Sequence, residues 1–193
     1  MGSSGWETDY IVPGGLEVRL TLFWGDNYFG AIHKDCIATM RKMLGEHGMK
    51  LSLIPANGEM TDQFSVKVPV KEDGLLHPEG YNELRNNCAA KFDDQAVAPR
   101  KQRLPVIFCN FKFPANGLTV DAGPWPAWCM VGPTSDSVTM LHESGHASPI
   151  GPDHLTSTSV QGGKQNFMFD GGGDRSLMHK AQLQKYAGAY FIK

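Results

Sequence analysis

Hydrophobic and polar positions alternate from Leu16 to Trp24, with Leu16, Val18, Leu20 and Leu22 on one side and Glu17, Arg19 and Thr21 on the other. A period of two predicts a strand with one buried face. The period then lengthens. Ile32, Cys36, Met40 and Leu44 recur every four residues, the stripe of an amphipathic helix. Asp26 and Asn27 are placed to cap it, and Gly45 and Gly48 to end it. Lys50 to Pro55 reads as a second strand, followed by a turn at Ala56-Asn57-Gly58. Phe64, Val66, Val68 and Val70 alternate again as a strand would, and Pro78 to Ala90 predicts a short helix with proline at its start.

Leu104 to Phe113 is a mostly apolar run, read as a strand that ends at the turn Asn116-Gly117, after which Leu118 to Val120 begins another. Gly123-Pro124-Trp125-Pro126 must be irregular. Thr134, Ser135 and Asp136 form a capping cluster. The helix they open carries Val138, Leu141, His142 and Gly145 and stops before Pro149, which cannot sit inside it. Ser148 to Gly173 has no clear period. Stretches of that length in compact domains are functional or held by something, and a metal ligand would hold this one. Asp174 is placed to cap a closing helix with Leu183, Tyr186, Ala187 and Tyr190 on its apolar face. The expected fold is α+β, a single domain over residues 1–193. A mixed twisted sheet with two packed helices forms an N-terminal lobe (1–147), and a small irregular C-terminal lobe (148–193) is closed by one helix.

Composition narrows the function classes. Hydrophobic residues make up 41% and charged residues 20% of the chain, enough apolar material for a core that needs no staple. A formal net charge of -2 gives no basic footprint for nucleic acid, and no apolar run has the length of a membrane span. The first residues show no charged and apolar leader, so localisation stays open; a secreted or delivered bacterial protein fits. Cys36, Cys88, Cys109 and Cys129 have no C-x-x-C spacing. They read as buried thiols, with two disulfides in a secreted form as the alternative.

The chemistry concentrates in His142-Glu143-Ser144-Gly145-His146. Two histidines four apart on a helix stand on one face, so both imidazoles reach one zinc ion. Glu143, beside the first, reaches a water on the metal's open side as general base and then serves the leaving amine as general acid. A catalytic zinc takes a third protein ligand. His154, three residues after Gly151, is the expected one, and Asp153 is its competitor.

These residues resemble the metzincin clan of metalloendopeptidases, whose motif is H-E-x-x-H-x-x-G-x-x-H followed by a methionine-bearing turn. His142, Glu143, His146, Gly151 and His154 match it, with two extra residues between His146 and Gly151. The resemblance implies a peptide-cleaving zinc enzyme with the metal in the cleft between the lobes. It also implies a Met-turn at Asn166-Phe167-Met168-Phe169, with Met168 beneath the ligands. Where some members carry a tyrosine two residues after that methionine, this chain has Asp170. The resemblance further implies a protein or peptide substrate bound along an edge strand, with Leu118, Val120 and Trp125 as candidate contacts. Two other readings are a zinc-binding interaction domain without turnover and a zinc amidase acting on a small non-protein substrate. His33, His47, His77 and His179 have no ligand-spaced partners and read as surface or capping residues.

Overall fold

A computed structural model describes residues 11–94, 102–120, 127–154, 163–171 and 174–193. The architecture is α+β around one mixed sheet. In chain order the elements are β1 (Glu17–Gly25), α1 (Ile32–Gly45), β2 (Lys50–Ile54), β3 (Ser65–Val66), α2 (Tyr81–Asp94), β4 (Leu104–Phe108), β5 (Gly117–Val120), β6 (Trp128–Val131), α3 (Thr139–His146) and α4 (Lys180–Ala187). The strands run β2-β1-β4-β6-β5, with the two-residue β3 pairing to the end of β1. All pairings are parallel except β5 with β6. The antiparallel β5 therefore forms one edge.

Position in the sheet explains burial. β1 lies between β2 and β4, and its second half is buried on both faces, with Thr21 and Phe23 as fully buried as Leu20 and Leu22. Helix α1 turns Cys36, Met40 and Leu44 inward as its period predicts, with Ile37 and Met43 widening the stripe. Both α1 and α3 pack against the sheet and against each other, and α2 packs on β3. All four cysteines are buried free thiols.

Four local expectations are corrected. Asp26 and Asn27 do not cap α1, whose N-cap is Ala31 without a side-chain bond. They end two strands instead. The Asp26 carboxylate accepts from Val68 N at 2.9 Å, and Pro69 has no N–H to extend the ladder, so the alternation from Phe64 to Val70 yields only β3. Asn27 accepts from Asn110 N (3.2 Å) and donates to Asn110 O (2.7 Å), which halts β4 well before Phe113. Asn116-Gly117 is not a free turn, since Gly117 already opens β5.

The closing helix starts later than Asp174, at Lys180, where His179 caps it and forms a reciprocal box with Gln182. Asp174 is exposed. His33 is buried rather than superficial, packed edge-on against Trp24, Tyr28 and Phe108.

Candidate metal centre

Helix α3 is eight residues long, and Thr139 through Gly145 are all buried. Of the capping cluster, only Asp136 serves the helix start, accepting from Val138 N and Thr139 Oγ1 at 3.0 Å each. Ser135 and Thr134 instead donate to Asn116 (2.6 and 3.2 Å) and so fasten the entry to β5. After His146 the chain turns. Ser148 Oγ donates to Gly145 O (2.6 Å), and Gly151, at φ +90°, takes a left-handed conformation that favours glycine. That turn returns His154 to the helix.

The Nε2 atoms of His142, His146 and His154 lie 3.0–3.1 Å from one another. Two tautomers are fixed by carbonyls, which only accept. His142 Nδ1 donates to Phe167 O at 2.7 Å and His146 Nδ1 to Gly151 O at 3.1 Å. Their Nε2 lone pairs consequently face the centre, where a cation could accept both. Burial pushes the His142 pKa down to about 3 and lowers that of His146, so both rings are held neutral, the form that binds a metal. Three vertices of a tetrahedron with metal–nitrogen bonds of about 2.05 Å are separated by roughly 3.3 Å, close to the observed spacing. The three histidines can hold a metal ion.

Asp153 is exposed and lies outside this cluster. Asp170 stands 4.0 Å from His154 Nδ1, too far for a hydrogen bond, with its side chain 76% exposed.

Glu143 is 5% exposed. Burial raises its pKa to about 7, even though a hydrogen bond from Thr119 pulls the other way. Thr119 Oγ1 lies 2.7 Å from Glu143 Oε2. Both residues line a cavity of about 470 Å³ that also contains the three histidines, Phe113, Phe169 and Arg175.

Met168 is fully buried under α3. Its turn is built by Asn166, whose side chain accepts from Met168 N (2.8 Å) and whose carbonyl accepts from Phe169 N (2.9 Å). Asn166 is itself held by paired amide bonds to Gln182 on α4. The methionine fits because Gly145 has no side chain: a Cβ there would strike its sulfur and lie 2.9 Å from the Phe167 ring. Gly145→Ala is expected to cost about 1–3 kcal/mol through overpacking. Chemical denaturation checks this, and an unchanged midpoint would show that Met168 has room to move.

Sequence reasoning missed Thr119, Gly117 and Arg175. Arg175 is buried and donates to both carboxylate oxygens of Asp136 (2.6 and 2.7 Å), tying the chain after the Met168 turn to the start of α3. Burial alone would raise Asp136, but Arg175 outweighs it and holds its pKa below the usual value. A lone arginine after a glycine run carries no signal of this; Thr119 could have been found from its alternation with Gly117. Of the candidate substrate contacts, Leu118 and Val120 are half-buried on β5, and Trp125 lies outside the described residues.

The fold that carries the three-histidine site has a counterpart among solved structures. One solved structure to which the chain is similar is mature mirolysin from Tannerella forsythia in complex with a cleaved peptide. It aligns with 91% of this chain and 92% of its own at a TM-score of 0.57 and 14% identity. At that identity the likeness is one of fold. No protein-family model and no curated protein matches the sequence.

Proposed function

We propose that the chain is a zinc-dependent metalloendopeptidase with His142, His146 and His154 as metal ligands and Glu143 as general base and acid. The observation that carries this reading is the convergence of three Nε2 atoms beside a buried glutamate in one cleft. All-imidazole donors suit zinc, and three protein ligands leave a position open for chemistry where a structural site would be closed by four. Zinc supplies Lewis acidity, polarising a carbonyl and bringing the pKa of water toward neutrality. Glu143, held at Oε2 by Thr119, takes the proton of the attacking water at Oε1 and delivers it to the leaving amine nitrogen. The two lobes, 1–147 and 148–193, act as one unit around this site. Met168 supports the ligand-bearing helix from below.

A peptide substrate suits the sheet edge. Gly132 N donates to Asn116 O, so with the β5–β6 register the hydrogen-bonded pairs fall at Leu118 and Val120, whose main-chain groups turn toward β6. Those of Gly117 and Thr119 turn outward. An extended peptide adding to this edge is held by the backbone of Gly117 and Thr119, with Leu118 and Val120 shaping the surface. The mirolysin structure with its cleaved peptide supports a substrate of the same class. No helix among the described residues is long and apolar enough to cross a membrane.

The test is elemental analysis of the purified chain beside cleavage of an unfolded protein. About one zinc per chain is expected, with hydrolysis stopped by a chelator and restored by zinc. Failure to take up metal, or cleavage indifferent to the chelator, overturns the proposal.

A further inference from the structure

β5 shows the same two residues to two different partners. On its side-chain face, Gly117 and Thr119 look onto α3. The Thr119 hydroxyl lies 2.7 Å from Glu143 Oε2 and 2.9 Å from Glu143 O. It has one proton to give, and the backbone oxygen already accepts from Ala147 N. The carboxylate is the stronger acceptor and has no other side-chain partner among the described residues. Gly117 supplies the other wall. A Cβ at that position would lie 2.8 Å from Glu143 Cγ and 2.7 Å from Thr139 Cγ2, so the glutamate side chain rests against bare backbone. On the opposite edge of the strand, the outward main-chain groups belong to the same Gly117 and Thr119.

We propose that Thr119 is a positioning residue that aims the Glu143 carboxylate by its hydroxyl while its main chain seats the substrate, so that peptide binding and orientation of the general base meet in one residue. This inference rests on the peptidase reading. A peptide that pairs with the backbone of residues 117 and 119 stiffens the wall against which Glu143 is held, and does so only when a substrate is in place. The side chain of Thr119 then governs the chemical step. Its backbone, which no side-chain replacement removes, governs binding.

The experiment compares wild type, Thr119→Val and Thr119→Ser as zinc-loaded proteins, with Glu143→Gln as the inactive reference. Steady-state kinetics on one peptide are read beside crystal structures of the two Thr119 variants. Valine keeps the shape and deletes the hydroxyl, so kcat is expected to fall about 10- to 100-fold with KM unchanged within about threefold. Serine restores the hydroxyl and is expected to recover kcat to within about threefold of wild type. In the Thr119→Val structure the carboxylate is displaced; in Thr119→Ser it is not. A Thr119→Val kcat equal to wild type, an equal loss in Thr119→Ser, or an unmoved carboxylate in Thr119→Val overturns the proposal. If wild type cleaves no peptide, the peptidase reading fails, and the structures still decide the positioning claim: displacement supports it and an unmoved carboxylate overturns it.

Discussion

Glu143→Gln is expected to keep the fold and the metal while lowering peptide hydrolysis by about 10³-fold or more, since in the proposed mechanism proton transfer at both stages of the reaction passes through this one carboxylate. Glutamine matches glutamate in size and still accepts from Thr119, so the cavity keeps its shape. The change also carries a stability signature. In the metal-free protein, burial raises Glu143 from 4.5 to about 7. An acid whose folded pKa is raised binds its proton more tightly in the folded state, so its contribution is fully present below pH 4.5 and is lost as pH climbs to about 7. The gap corresponds to a cost on the order of 3 kcal/mol for holding the charge. Metal-free Glu143→Gln is therefore expected to melt above metal-free wild type at pH 8, with the difference shrinking toward pH 5. A difference that ignores pH would mean that the carboxylate is not held in a desolvated place. Retained turnover in zinc-loaded Glu143→Gln would remove it from the mechanism.

His154→Ala is expected to weaken zinc binding by about 10²–10³-fold, on a share of roughly 3–4 kcal/mol per ligand in sites that bind zinc with 10–16 kcal/mol. Asp153→Ala is expected to stay within about tenfold of wild type, the scale of a supporting group. The contrast follows from placement: His154 Nε2 lies 3.0 Å from His146 Nε2, while Asp153 is exposed outside the cluster. Competition against a chromophoric chelator measures both. The opposite order would move the third ligand to Asp153. The two extra residues between His146 and Gly151 do not prevent the return, because Ser148 and Pro149 close the helix and Gly151 makes the sharp turn.

What was legible in the sequence follows from how local each signal is. Helical spacing put His142 and His146 on one face, and the glycine before His154 marked the turn. The stripe of α1 and the alternation of β1 reported buried faces directly. Less legible were features made by residues far apart. Asp26 and Asn27 look like helix caps in sequence and are strand ends in space, because their partners, Val68 and Asn110, lie tens of residues away. The start of α4 was misplaced for a related reason. Asp174 has the composition of a cap, but the chain between it and Lys180 is occupied by Arg175 reaching Asp136 and by Leu177 bonding Phe167 and Gln165. The grip of Thr119 on Glu143 depends on how β5 lies across α3, which no period along the chain encodes.

In the proposed peptidase, the outward-facing backbone of β5 would set how substrates are chosen. Peptide groups are common to every protein, so an edge that reads them is nearly blind to side chains. It is strict about shape, because only a segment free to lie extended can join it. A loop that must first come away from its own domain brings that local opening energy into the observed rate, and each 1.4 kcal/mol of opening slows cutting about tenfold. A segment costing about 5 kcal/mol to release is cut several thousand times more slowly than the same residues in a tail. On that reading the folding stability of the target would become a determinant of selectivity, ranking linkers and unfolded chains ahead of intact domains.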